Sequence, residues 1–86
     1  MLFRAEVTVM LKPVVNDPQG LVVKSGLQQL GFTGVGGVRV GKQIEIEVEA
    51  ASEEAARQNV NEMCEKLLRN PVIEDYSVTL EVMETA

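Results

Sequence analysis

Histidine is absent from the 86-residue chain, and cysteine occurs once, at Cys64. Without an imidazole, the chain has no Ser-His or Cys-His nucleophile pair, no histidine general base and no histidine ligand for zinc. A single cysteine excludes an intramolecular disulfide and fits a reducing compartment, so we expect a cytoplasmic protein. The sequence therefore predicts no catalytic residue, no metal site and no cofactor-binding site in this chain.

Aromatic residues and long apolar runs are also scarce. Only 3% of the residues are aromatic and the net charge is −5, so bases have little to stack on and phosphates little to attract them. No run approaches the roughly 18 apolar residues of a membrane-spanning helix. We therefore expect neither a nucleic-acid partner nor a membrane.

What the chain does contain is the composition of an ordinary globular protein, with 45% hydrophobic and 24% charged residues. Its length predicts one domain over residues 1–86. A domain of this size buries only about 60 to 65% of its unfolded surface, and oligomerisation is a common remedy.

The first 30 residues contain a strand signal and a helix signal. Apolar and polar residues alternate from Phe3 to Lys12, which predicts a strand over residues 2–12. Asp17 and Pro18 stand where a helix N-cap and first helical position belong, so we predict a helix over about 18–30, ended by a left-handed Gly31. The predicted buried face of this helix comprises Val23, Leu27 and Leu30.

The remaining pattern predicts a hairpin, a second helix and a last strand. Two apolar alternations, over 38–40 and 43–49, flank Gly41-Lys42, which suits a two-residue hairpin turn. Ser52 caps a helix that runs to about residue 69, and alternation resumes from Tyr76 to Val82. The predicted buried stripe of the second helix comprises Ala56, Val60, Met63 and Leu67.

This order of elements predicts the α+β class. With right-handed crossovers, βαββαβ gives a ferredoxin-like sandwich, a four-stranded antiparallel sheet with two helices on one face. Polar residues such as Arg4, Glu45 and Glu81 are expected on the uncovered face.

Two enzymatic interpretations are disfavoured by local sequence. Gly36 to Lys42 has the Gly-x4-Gly-Lys spacing of a phosphate loop, but Gln43 replaces the hydroxyl residue and a strand follows instead of a helix. Acylphosphatases share the predicted fold and carry an arginine-bearing glycine loop after the first strand, where this chain has Lys12-Pro13-Val14-Val15. Fold alone does not decide function.

Three stretches, in order, resemble one family. They are "VMLKPVVNDPQG" (9–20), "VRVGKQIEIEVEA" (38–50) and "MCEKLLRNPVIEDY" (63–76), and the sequence is similar to PurS, the small subunit of bacterial and archaeal phosphoribosylformylglycinamidine synthase. Val14 and Asn16 stand where the family is expected to have a glycine and an apolar residue. This departure bears on the path of that loop and not on membership of the family.

The resemblance implies a non-catalytic subunit of a three-protein assembly in de novo purine biosynthesis. A glutaminase subunit releases ammonia, and a synthetase subunit uses ATP, with Mg²⁺, to convert formylglycinamide ribonucleotide to formylglycinamidine ribonucleotide. The family implies a homodimer or tetramer that bridges these two partners and supports ammonia transfer. The alternative that we keep is a ferredoxin-like regulatory domain that senses a small metabolite.

The resemblance and the distribution of charge together nominate contact positions. Basic and mixed polar groups at turns of an otherwise acidic domain are poorly explained by folding alone. The candidate subunit-interface residues are Lys12, Asp17, Arg39, Lys42, Asn70, Glu74, Asp75 and Tyr76.

Overall fold

A computed structural model describes residues 1–83 of the chain. Its strands are β1 (Leu2–Leu11), β2 (Gly41–Glu49) and β3 (Glu74–Val82). Its helices are α1 (Pro18–Gln29) and α2 (Glu53–Met63), and α2 continues into a π-helical turn over Cys64–Leu68. The α+β class, two helices and an antiparallel sheet are confirmed.

The sheet has β1 at its centre, in the order β2-β1-β3, with both pairings antiparallel. Val7 of β1 lies opposite Ile44 of β2 and Val78 of β3. Because side chains alternate between faces along each strand, this register collects the apolar residues of all three strands on one face. We call this the helix-side face, and the opposite, mostly polar one the open face.

The core lies between the helix-side face of β1 and the apolar stripe of α2. Its fully buried residues are Phe3, Ala5, Val7, Val9, Ala56, Val60 and Cys64. Burying a valine or phenylalanine side chain contributes about 1.5 to 3 kcal/mol, so the larger members of this cluster are what hold α2 on the sheet.

The described sheet has three strands, whereas the sequence predicts four. The hairpin prediction is wrong: β2 begins at Gly41 itself, where a turn was expected, and residues 38–40 do not form a strand. The amide of Val40 donates to the carboxylate of Asp17 (2.8 Å) instead of to a neighbouring strand. A side chain 23 residues away has thus taken the hydrogen bond that a ladder would need.

The second helix ends close to the predicted residue, but its last turn changes character. The amide of Arg69 donates to the carbonyl oxygen of Cys64 (3.2 Å), the i to i+5 bond of a π-turn. The wider turn brings Leu68 rather than Leu67 toward the core, and Leu67 is 82% exposed. The predicted burial of Leu67 is therefore wrong.

The first helix has the predicted caps but not the predicted burial. Asp17 accepts a hydrogen bond from the amide of Gly20, and Gly31 has a left-handed φ of 98°. The amides of Gly31 and Phe32 donate to Gln28 and Leu27 (both 3.0 Å), as in a Schellman motif. However, the predicted inward residues Val23 and Leu30 are 43% and 75% exposed. Helix α2 covers the sheet, and the apolar side of α1 remains uncovered.

Candidate subunit-contact site at one end of the sheet

Antiparallel topology brings the candidate interface residues to one end of the sheet. The last residues of β1 lie beside the first residues of β2 and of β3, since Met10 pairs with Gly41 and Leu11 with Glu74. All eight candidates lie in these strand ends or in the segments that join them. Their use as an interface remains a prediction, but the structure brings together residues that are up to 64 positions apart in sequence.

Asp17 is the buried charge of this end, with 8% of its surface exposed. Its Oδ1 accepts from the amide of Gly20 (2.9 Å) and its Oδ2 from the amide of Val40 (2.8 Å). These backbone hydrogen bonds, assisted by the nearby Arg39 charge, hold the pKa of the Asp17 carboxyl below its usual value. Asp17 is therefore an ionised cap that joins α1 to the start of β2.

Arg39 connects the same region to the end of β1. Its Nε lies 3.5 Å from Oδ2 of Asp17. Its terminal nitrogens donate to the carbonyl oxygens of Leu11 (2.9 Å), Lys12 (3.1 Å) and Pro13 (3.3 Å). A guanidinium carries five donors in a planar fork, which lets a single side chain satisfy these groups. Most of the hydrogen-bonding capacity of Arg39 is thus used within the chain.

Lys12 and Asp75 pair across the open face, with Nζ 2.9 Å from Oδ1. Both side chains are partly exposed, and an exposed pair of this kind contributes about 0.2 to 1 kcal/mol. The pair therefore fixes the local charge pattern more than it stabilises the fold.

Lys42 and Glu74 lie on the helix-side face, at the edge of a groove of about 350 Å³. Among residues 1–83 no carboxylate lies within 4 Å of the Lys42 ammonium group, whereas Lys12, Arg39 and Arg69 each have such a partner. Of the nominated basic residues, Lys42 is therefore the one whose charge the described chain leaves available. The groove is lined by Val9, Leu11, Asp17, Pro18, Gln19, Val40, Gly41, Lys42 and Glu74.

Asn70 and Glu74 form the turn that leads into β3. The Asn70 side chain accepts from the amide of Val72 (3.0 Å), and the Glu74 carboxylate accepts from the amide of Asn70 (2.7 Å). Asn70 also accepts from the amide of Glu74 through its carbonyl oxygen (2.8 Å). These contacts satisfy backbone groups in a turn, so folding needs account for both side chains.

Tyr76 belongs to a cluster that the sequence reasoning only half identified. The Arg69 guanidinium lies 4.9 Å from the centre of the Tyr76 ring, and Glu65 binds both Arg69 (2.8 Å) and the Tyr76 hydroxyl (3.2 Å). The hydrogen bond from Arg69 lowers the pKa of Glu65, and desolvation, with the bond to Glu65, raises the pKa of Tyr76. Arg69 follows Glu65 at i+4, a spacing that could have signalled the pair.

The only thiol of the chain is not placed for nucleophilic chemistry. Cys64 is fully buried in the core, and this burial raises the pKa of its thiol, the opposite of what an attacking thiolate needs. Residues 1–83 hold no group of three or more Cys, Asp or Glu side chains that could hold a metal ion. No helix in the described range is both long and apolar enough to cross a bilayer.

The structure describes a small α+β protein of the contact-forming kind: its candidate interface residues meet at one end of the sheet, and its first helix exposes apolar side chains. The model of the PurS family, described as phosphoribosylformylglycinamidine (FGAM) synthase, matches residues 4–82. The chain belongs to this family.

Known relatives match over nearly their full length. The PurS subunit of phosphoribosylformylglycinamidine synthase from Synechocystis is 46% identical over 84 residues, which are 98% of this chain and 84% of that protein. The crystal structure of PurS from Methanocaldococcus jannaschii superposes with a TM-score of 0.86 at 40% identity, covering 95% of this chain and 99% of that one. It is described as one of the subunits of formylglycinamide ribonucleotide amidotransferase in the purine biosynthetic pathway.

One similar chain was solved within an assembly. A chain of the PurLQS structure from Thermotoga maritima has a TM-score of 0.88 and 37% identity, covering 94% of this chain and 99% of that one. The resemblance inferred from three sequence stretches is thereby confirmed over the whole domain.

Proposed function

We propose that the chain is a non-catalytic structural subunit of the phosphoribosylformylglycinamidine synthase complex in de novo purine biosynthesis. In this role it bridges the glutaminase subunit and the ATP-dependent synthetase subunit and supports ammonia transfer between them. The observation that carries the proposal is the match of residues 4–82 to the PurS family. The solved PurLQS assembly from Thermotoga maritima supports membership in a complex of this kind.

The chemistry of the overall reaction explains why such a subunit is useful. Glutamine is split at one active site and ammonia is consumed at another, where it converts formylglycinamide ribonucleotide to formylglycinamidine ribonucleotide. Ammonia that reaches bulk water is protonated and lost as a nucleophile, so the two sites must be held in register. That task needs rigid contact surfaces and no nucleophile in the bridging chain.

The same role defines what the subunit does not supply. It binds no cofactor of its own, and ATP, Mg²⁺ and glutamine are used by the partner subunits. Residues 1–86 act as one domain in the cytoplasm, and contacts with the partners involve the sheet end around Lys42.

Self-association, as a homodimer or tetramer, is supported by the amount of surface that the single chain exposes. Its accessible area is 6019 Å², against about 5,000 Å² expected for a folded 9.4-kDa monomer. Its radius of gyration is 16.7 Å, against about 12 Å for a compact domain of this length. The excess of about 1,000 Å² resembles the roughly 800 Å² that each partner contributes to a standard interface.

The occupant that this surface fits is a second copy of the chain. Leu21 and Val22 on α1 expose 58% and 72% of their surface, and Leu30 and Phe32 just beyond its end expose 75% and 58%. A groove of about 530 Å³ is lined by Val22, Val23 and Val40, with Pro18 and Gln19. Exposed apolar side chains on one short helix favour an apolar partner surface, and a symmetric copy offers the same surface in return.

Reconstitution with the glutaminase and synthetase subunits tests the bridging role. With all three proteins, glutamine should support formation of formylglycinamidine ribonucleotide, and omission of this chain should abolish that turnover. Ammonia supplied directly should still be used by the synthetase without it. Undiminished glutamine-dependent turnover in the absence of the chain would overturn the proposal.

The metabolite-sensing alternative is favoured by one observation, the groove of about 350 Å³ beside Lys42 and Glu74, a volume within the range of small-ligand sites. Calorimetric titration of the isolated protein with amino acids and nucleotides distinguishes the two roles. A bridging subunit should bind none of them tightly, and a saturable response that Lys42→Glu removes would favour the sensor.

A further inference from the structure

Helix α1 is tied to the rest of the chain through its first turn. One carboxylate, that of Asp17, binds both the amide of Gly20 inside that turn (2.9 Å) and the amide of Val40 just before β2 (2.8 Å). Because Asp17 is buried and ionised, these two bonds are stronger than bonds between neutral groups. The base of α1 is thereby held at a fixed distance from the start of β2.

Arg39 adds the third segment to the same point. Its Nε lies 3.5 Å from Asp17, while its terminal nitrogens bind the carbonyl oxygens of Leu11 and Lys12 at the end of β1 (2.9 and 3.1 Å). The end of β1, the start of α1 and the approach to β2 are thus joined by two side chains. A planar guanidinium fixes directions as well as distances.

Backbone packing at Gly20 restricts the same joint. A β-carbon at this position would overlap the carbonyl oxygen of Val38, and it would lie 2.9 Å from the Asp17 carboxylate. The backbone of the first helical turn therefore lies directly against the segment that carries Arg39 and Val40.

The remainder of α1 provides little to orient it. Leu21 and Val22 on the helix and Leu30 at its C-cap are exposed, so packing against the sheet does not set the direction of the helix. A helix of 12 residues is about 18 Å long, so a tilt of roughly 20° at its base displaces its far end by about 6 Å. An interface built on this helix needs much smaller errors than that.

We infer that Asp17 and Arg39 are positioning residues that set the direction of α1 and, through it, the geometry in which a second copy of the chain is bound. This inference rests on the proposed self-association. Asp17 is buried and Arg39 is partly exposed; in this role the pair acts through contacts within the chain, by fixing the direction of α1.

The experiment measures the direction of α1 in the full chain. Spin labels are attached to Gln29→Cys, at the end of α1, and to Thr8→Cys, in the middle of β1. Pulsed electron paramagnetic resonance then measures the distance between helix and sheet. Labelled protein is mixed with an excess of unlabelled protein so that each measured distance lies within one chain. The unmutated protein, whose Cys64 is fully buried, serves as the control for label uptake.

The test variants are Arg39→Gln and Arg39→Lys, and the matched control is Arg57→Gln. Arg57 is a half-exposed arginine that pairs with Glu53 on α2, far from the base of α1. The parent and the control should give one narrow distance distribution. Arg39→Gln should broaden or shift it, and Arg39→Lys should do the same, since an ammonium group keeps the charge but not the fork.

Sedimentation of the same proteins connects direction to assembly. Arg39→Gln should raise the dissociation constant for self-association at least tenfold, with an unchanged far-UV circular dichroism spectrum, and Arg57→Gln should not. If Arg39→Gln unfolds the chain, the milder Asp17→Asn, which keeps one cap acceptor, replaces it in both measurements. An unchanged distance distribution and an unchanged dissociation constant would overturn the inference. A parent that remains monomeric at all concentrations would instead defeat the proposed self-association, and the distances would still decide what the pair does to α1.

Discussion

The two helices of this chain have similar lengths and opposite relationships to the sheet. Helix α2 buries Ala56 and Val60 completely against β1, whereas Val22 and Leu30 on the α1 side are 72% and 75% exposed. Both helices are capped as their sequences require, so local signals do not distinguish them. The difference shows that α2 completes the fold of one chain, and it supports the proposal that α1 presents a surface for assembly.

The largest expected effect is on the α2 side of this comparison. Val60→Ala removes two methyl groups from a fully buried position, which should lower the free energy of unfolding by about 2 kcal/mol. Urea denaturation followed by circular dichroism measures the change. A loss below about 0.5 kcal/mol would mean that α2 is not the helix that holds the core.

Charge reversal at the sheet end should affect binding and not folding. Lys42→Glu changes an ammonium group that lacks an ion pair within residues 1–83, and we expect it to weaken binding of the partner subunits about tenfold, or about 1.4 kcal/mol. Lys66→Glu is the matched control, since Lys66 is an exposed residue of the π-turn after α2 and pairs with Glu62. Equal binding by both variants, measured by surface plasmon resonance, would remove Lys42 from the interface.

Acid should loosen the base of α1 through Asp17. Its folded-state pKa lies below the usual value of 3.8, so its contribution to stability is complete above the unfolded pKa and is lost as pH falls through the folded one. Asp17→Asn should be less stable than the parent at pH 6, and the difference between the two should shrink as pH falls below about 4.

Urea denaturation of both proteins between pH 6 and pH 3 checks this expectation. The parent keeps an acid-dependent slope from Glu62 and Glu65, whose pKa values are also lowered. The difference between the proteins therefore isolates Asp17. A difference that is constant across this range would contradict an ionised cap.

The smallest effect is expected at an exposed position of the π-turn that follows α2. Leu67 is 82% exposed because the π-turn directs it away from the core, so Leu67→Ala should change the unfolding free energy by no more than about 0.5 kcal/mol. Leu68→Ala, whose side chain packs against the core, should cost clearly more. If thermal or urea unfolding showed a larger loss for Leu67→Ala than for Leu68→Ala, Leu67 would belong to the buried stripe that periodicity predicts.

Patterns within a few residues predicted much of this fold. Alternation in β1 and β3, the Asp17 cap and the left-handed Gly31 all depend on contacts that the local sequence contains. The prediction of a fourth strand failed because the Val40 amide donates to Asp17, a contact across 23 residues that no local pattern reveals. Helical periodicity predicted a buried face of α1 that included Val23 and Leu30, but both are exposed, because periodicity cannot say whether the same chain covers that face.

For the candidate site, the sequence indicated which residues belong together but not which contacts each of them makes. Residues nominated from separate stretches meet at one sheet end because antiparallel strands return there. The sequence does not show how their roles differ. Arg39 donates hydrogen bonds to carbonyl oxygens of the chain itself, whereas Lys42 forms no ion pair within the described residues. Glu65 and Arg69 were missed because their link with Tyr76 depends on the path of the turn between α2 and β3.

The mass of the protein in solution tests the division between the helices most directly. Sedimentation equilibrium of the parent and of Val22→Asp, over a wide concentration range, should give a multiple of 9.4 kDa for the parent and a folded species of 9.4 kDa for the variant. A parent that sediments as a monomer throughout, or a Val22→Asp variant that keeps the parent's mass, would contradict the proposal that α1 serves assembly.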